Sequence, residues 1–127
     1  MRDPREWPPN YHPQFFNESQ WSQLIINGKA SVESDEGVDH QPVVKLFTPD
    51  ANATFLLSEV MPHEPDIAFA LCDAGLGSPE LGYASLKELA TIRGPLNLPM
   101  EKDLHFKANK ALSAYAEEAY MGGSIMA

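Results

Sequence analysis

An α+β fold, a small and mainly antiparallel sheet of four or five strands with about three helices packed on it, is the architecture this sequence predicts. Three observations lead there. Asn17-Glu18-Ser19-Gln20 and Ser85-Leu86-Lys87-Glu88 each place a side chain that accepts from a helix's orphan amides three residues before one that can reach back, so each marks a helix start. Between them, residues 43–84 change to β-branched and apolar runs broken by proline and glycine, the pattern of strands joined by tight turns. The connections are short, which favours an antiparallel meander. A chain of 127 residues buries roughly two-thirds of its unfolded surface, enough for one core and one domain.

The elements follow in order. Pro4, Pro8, Pro9 and Pro13 fix the backbone of the first segment, so residues 1–16 read as an extended arm preceding a single domain over 17–127. Trp7, Tyr11, Phe15 and Phe16 make the arm too aromatic for an ordinary tail, and it is expected to lie on the body or on a partner. The first helix is predicted from Glu18 to Asn27, with Trp21, Leu24 and Ile25 on one face and Gly28 ending it. Residues 30–41 carry Glu33, Asp35, Glu36 and Asp39 without apolar periodicity and read as a mobile acidic loop. Strands are predicted over Val43–Thr48, Ala53–Met61, Asp66–Cys72 and Glu80–Ala84. Ile67, Phe69 and Leu71 alternate with Ala68, Ala70 and Cys72, so both sheet faces should be covered. The second helix holds Leu86, Leu89 and Ile92 inward and stops at Arg93-Gly94-Pro95; Asp103–Lys107 reads as an edge strand. Leu112–Met121 closes as a helix capped by Ser113 and ended by Gly122-Gly123.

Composition removes several classes of function. Eighteen acids against nine bases give a formal charge of −9, which opposes direct binding to nucleic acid phosphates. No apolar run is long enough for a membrane span or a signal segment. One cysteine cannot form an internal disulfide, which suits a reducing cytoplasm. The acidity is also uneven: residues 1–42 hold 7 acids and 3 bases, 43–80 hold 6 and 1, and 81–127 hold 5 of each. One strongly negative face is therefore expected, and such a face speeds encounter with a basic partner.

Signals for catalysis are weak. His12, His40, His63 and His105 lack the close helical spacing of zinc enzymes, and His63-Glu64-Pro65-Asp66 reads as a turn between strands. Cys72 beside Asp73 has no cation to form its thiolate and ends an apolar strand, so it reads as a buried thiol. Asp73-Ala74-Gly75-Leu76-Gly77 is followed by Pro79 and a strand instead of a helix, so it is a tight turn and not a phosphate loop. Asp50, Asp73 and Glu80 could converge at one end of the sheet on a hard cation. No cofactor or metal is predicted.

The strings KLFTPDA, CDxGLGxPELGY and DLHF, within Pro42–Val60, Asp66–Leu89 and Asp103–Ala119, resemble the small bacterial proteins grouped as domain of unknown function 2958. The resemblance runs from about Leu24 to Ala119 and leaves out Met1–Phe16 and the acidic loop before His40. It implies carriage on plasmids and other mobile elements, and no activity or site residue. Such elements encode small acidic proteins that block restriction or CRISPR nucleases, so resemblance and charge together suggest an anti-defence inhibitor. The reading is a non-enzymatic binding protein that presents Glu33, Asp35, Glu36, Asp39, Asp50, Glu59, Glu64, Asp66, Asp73 and Glu80, with Trp7 and Tyr11 of the arm, to a basic nucleic-acid-handling protein. Two alternatives stand beside it: a metal-assisted hydrolase using Asp73, Glu80, Asp50 and His105, and an accessory subunit whose arm inserts into a larger assembly.

Overall fold

The computed structural model describes residues 14–127; most of the proline-rich arm, with Trp7 and Tyr11, lies outside the described residues. Helix α1 (Glu18–Glu33) begins on a complete capping box. The Gln20 amide donates to Asn17 Oδ1 at 2.7 Å, and the Asn17 amide donates back to Gln20 Oε1 at 2.9 Å. The helix does not stop at Gly28 as expected but runs on to Glu33. Gly28 is there for closeness, since a Cβ on it would sit 1.8 Å from the carbonyl oxygen of Val60. Trp21, Leu24, Asn27 and Gly28 form the buried face.

Strands β1 (Val44–Phe47), β2 (Thr54–Met61), β3 (Glu64–Asp73), β4 (Glu80–Ser85) and β5 (Glu101–Lys102) form one sheet in the order β4-β3-β2-β1-β5. Every pairing is antiparallel. The β2–β3 turn is tighter than predicted: Met61 pairs with Glu64, leaving Pro62 and His63 at the tip. The expected edge strand at Asp103–Lys107 is replaced by two residues just before it. Asp103 instead closes a turn, its carboxylate accepting from the His105 amide at 2.8 Å.

Alternation along the strands builds two cores. On one face α1 and the short helix α2 (Leu86–Leu89) cover Val44, Leu46, Leu57, Val60, Ala68 and Ala70. Phe15 and Phe16 belong to this core, Phe16 lying 5.4 Å from the Trp21 ring. On the other face α3 (Leu112–Gly122) lays Leu112, Tyr115, Ala116 and Ala119 over Leu56 and Leu71. Both faces of the sheet are thus covered, as the β3 alternation predicts.

Two further expectations are corrected. Helix α2 is a single turn and does not reach Ile92. Right after Leu89 the backbone tightens, the Thr91 and Ile92 amides donating to the carbonyls of Glu88 and Leu89 three residues back, and the chain then closes into a loop held by an Arg93–Pro99 bridge. Ser113 does not cap α3, whose N-cap residue Ala111 makes no side-chain hydrogen bond.

Candidate functional site

The acids do not share one face. Strand register sorts them between the two ends of the sheet: Glu64 lies at the β2–β3 turn, whereas Asp73, opposite Thr54, and Glu80, opposite Cys72, lie at the far end. Asp50 belongs to the far end too, in the connection between β1 and β2.

Several of them already have structural tasks. Asp73 is 2% exposed, and its carboxylate accepts from the Gly75 amide at 2.8 Å and the Ile125 amide at 3.0 Å. It fastens the glycine turn to the C-terminal segment. Asp50 accepts from the Leu96 amide at 2.7 Å and fills space that a side chain at Gly94 would need. Asp66 takes the Ser85 hydroxyl at 2.6 Å and the Lys87 amide at 2.9 Å, organising the start of α2. Asp39 receives the Ser113 amide at 3.2 Å and also the Ser113 hydroxyl. It therefore does the capping that sequence assigned to Ser113.

The expected mobile loop is tied down accordingly. Beyond Asp39, the carbonyl of His40 accepts from the Leu112 amide at 2.9 Å, so residues 34–40 lead from the α1 side of the sheet to the N-terminus of α3. Glu33, Asp35 and Glu36 stay exposed around the C-terminal end of α1.

The four hydrolase candidates are not assembled into a site. The cavity of about 540 Å³ that holds Asp73 is lined by Lys45, Thr48, Asn52, Thr54 and Asp103, without Asp50, Glu80 or His105. Among the described residues no three His, Cys, Asp or Glu side chains lie close enough to hold a metal ion. The Cys72 thiol is pushed up to about 11, by burial first and by the Glu80 carboxylate second. The His105 amide, above all, and Lys45 hold the Asp103 carboxyl below its ordinary value; Lys45 stands 3.4 Å away.

A second cleft, of about 370 Å³, opens where α1, the 34–40 segment and the sheet meet. Ser31, Glu36, Asp39 and His40 line it together with Glu59, Phe69 and Tyr83, the last three neighbours in one row across the sheet. The Ser31 hydroxyl donates to Glu59 Oε1 at 2.9 Å and lies 3.4 Å from His40 Nε2. This is not an activated serine. His40 Nε2 faces the Asn27 carbonyl at 2.9 Å; a carbonyl only accepts, so that nitrogen carries the hydrogen and cannot take a proton from Ser31. The arrangement suits binding: carboxylates and an aromatic pair line the same cleft.

The profile of a family described as "Protein of unknown function (DUF2958)" matches residues 15–126. The chain belongs to that family. No curated protein and no solved structure matches it. The match exceeds the Leu24–Ala119 resemblance and takes in Phe15, Phe16 and the acidic segment before His40. Those parts of this DUF2958 member are therefore within the family pattern, contrary to the expectation that they depart from it. Phe15 and Phe16, at the start of the match, each carry 1% exposure in the core. No described helix is long and apolar enough to cross a membrane.

Sequence reasoning named Glu36, Asp39 and Glu59 but missed Phe69, Tyr83, Ser31 and His40 as their neighbours. Strand alternation was a signal for Phe69, and it pointed to core packing.

Proposed function

We propose that this DUF2958 protein is a non-enzymatic binding protein that docks the β2–β3 turn end of its sheet on a basic protein partner, of the kind that handles nucleic acid. On a mobile element such a protein would act as an inhibitor of a restriction or CRISPR nuclease, occupying the basic surface that otherwise takes DNA. What carries the reading is the C-terminal end of α1. A helix C-terminus is already the negative end of its dipole, and each acid placed there costs about 0.3–1 kcal/mol at low salt. Here Glu33 occupies the last turn, Asp35 and Glu36 follow it, and no base stands in that turn. Charge kept where it weakens its own helix is explained by an outside partner that uses it. The far-end acids Asp50 and Asp73 accept from backbone amides of their own chain, so they leave the docking set; the arm residues Trp7 and Tyr11 lie outside the described residues.

The test starts with partner capture from the native host and turns on the kinetics of the purified pair. Association should slow about tenfold or more as salt rises from about 0.05 M to about 0.5 M. Glu33→Lys/Asp35→Lys/Glu36→Lys should slow association at low salt while leaving dissociation nearly unchanged. An association rate indifferent to both salt and the triple substitution overturns the reading.

A further inference from the structure

We propose that the cleft beside the 34–40 segment is the seat of one arginine side chain of the basic partner, its guanidinium held between the Glu59 carboxylate and the ring of Tyr83. This rests on the docking reading above and gives it a specific contact. The row that builds the seat is set by strand register, since Glu59 pairs with Phe69 and Phe69 pairs with Tyr83 across β2, β3 and β4. Glu59 joins that row through an irregularity. Leu57 pairs with Ala70 and Glu59 with Phe69, so Ser58 is the extra residue of a β-bulge. Without it, alternation would turn Glu59 toward the α1 core beside Leu57. Bulges recur where a strand must re-aim a side chain for function.

Glu59 is half-buried, and its carboxylate accepts from the Ser31 hydroxyl. Among the described residues no cation pairs with it, although a carboxylate can accept several donors at once. Tyr83 is 67% exposed, with its ring tilted against Phe69 at 5.2 Å between centroids. A large ring open to water on an edge strand, with Phe69 between it and a half-buried carboxylate two strands away, leaves a span that a long side chain ending in a planar cation can bridge. The guanidinium meets both requirements: it stacks on an aromatic face and donates two parallel hydrogen bonds to a carboxylate. Lysine's ammonium is more strongly hydrated and offers no plane to stack. An apolar side chain would leave Glu59 without a counter-charge, and Glu36 and Asp39 at the rim repel anions.

The full chain, labelled for NMR, is titrated with N-acetyl-arginine methylamide, with its uncharged citrulline counterpart and with the lysine counterpart. Saturable shifts at the Glu59 carboxyl and the Tyr83 ring are expected with the arginine probe, weaker ones with lysine and none with citrulline. Glu59→Gln keeps the oxygen that accepts from Ser31, and Tyr83→Leu changes an exposed position. Each should weaken the arginine probe about tenfold with the amide spectrum otherwise preserved. Citrulline binding as well as arginine, or arginine affinity unmoved by Glu59→Gln, overturns the seat. A partner complex that responds to Glu33→Lys/Asp35→Lys/Glu36→Lys but not to Glu59→Gln also removes it, while leaving the docking reading intact. Arginine-probe binding at this row without any salt-sensitive basic partner supports guanidinium binding there but removes the docking reading, and with it the assignment of the arginine to that partner.

Discussion

Gly28 marks the point where α1 meets β2 backbone against backbone. A methyl group there would meet the Val60 carbonyl at 1.8 Å, and a strand carbonyl cannot swing aside as a flexible side-chain end can. Gly28→Ala should therefore lift the helix from the sheet and cost about 1–3 kcal/mol or more in urea denaturation, despite alanine's better helix propensity. Asp73 shows the same economy for a polar group, a buried carboxylate spending its oxygens on two amides. Asp73→Asn keeps the shape but removes the charge, so about 1.5–3 kcal/mol should be lost. Hydrogen exchange at the Ile125 amide should accelerate with it. Its neighbour Cys72 answers a question of pH. Because the folded thiol ionises near 11 instead of 9.0, alkylation of the native protein should rise toward a midpoint near 11. The unfolded thiol loses its proton first, so between those values stability falls as pH climbs. The fall should be shallower in Cys72→Ala.

Helices and strands divide by how far apart their determinants lie in the chain. The Asn17–Gln20 box and the alternation along β3 are written in consecutive residues, so α1's start and the two-faced sheet were legible in the sequence. Asp39 is different. Its meaning depends on Ser113, 74 residues away, and a stretch of acids read alone resembles a solvated loop. The same holds for Gly28, whose neighbour Val60 exists only once α1 has docked, and for Glu59, whose direction depends on a register shift that no local pattern encodes. The acidic end of α1 was visible as composition but not as the negative pole of a helix extending to Glu33. That geometry yields a test in which stability and binding move in opposite directions. Glu33→Lys should stabilise the protein by about 0.3–1 kcal/mol in low-salt thermal unfolding, and the gain should fade as salt is added. The same substitution should slow association with the basic partner. Destabilisation would mean that Glu33 is held by favourable contacts of its own.

The molecule as a whole carries a charge of −9 on a body whose basic groups are few and partly committed. Lys45 is bound to Asp103 and Lys110 to Glu118, while Glu33, Asp35, Glu36, Glu64 and Glu80 stand exposed. Like-charge repulsion across such a surface opposes the compact state, and it is relieved either by a basic partner or by mobile ions. Salt shortens the reach of exposed charges from about 30 Å at 0.01 M to about 8 Å at 0.15 M. Over that range the ion pairs weaken as well, but exposed pairs contribute little, about 0–1 kcal/mol each. Repulsion should therefore dominate, and sodium chloride should raise the melting temperature of the isolated protein. A relief of about 1 kcal/mol corresponds to roughly 4 °C for a chain of this size. Choline chloride should do the same, because screening depends on ionic strength and not on the identity of the cation. If sodium alone stabilised, a specific ion site would be responsible. A melting temperature that fell with salt would mean that paired charges outweigh repulsion, and the stored electrostatic energy that a basic partner is proposed to release would not exist.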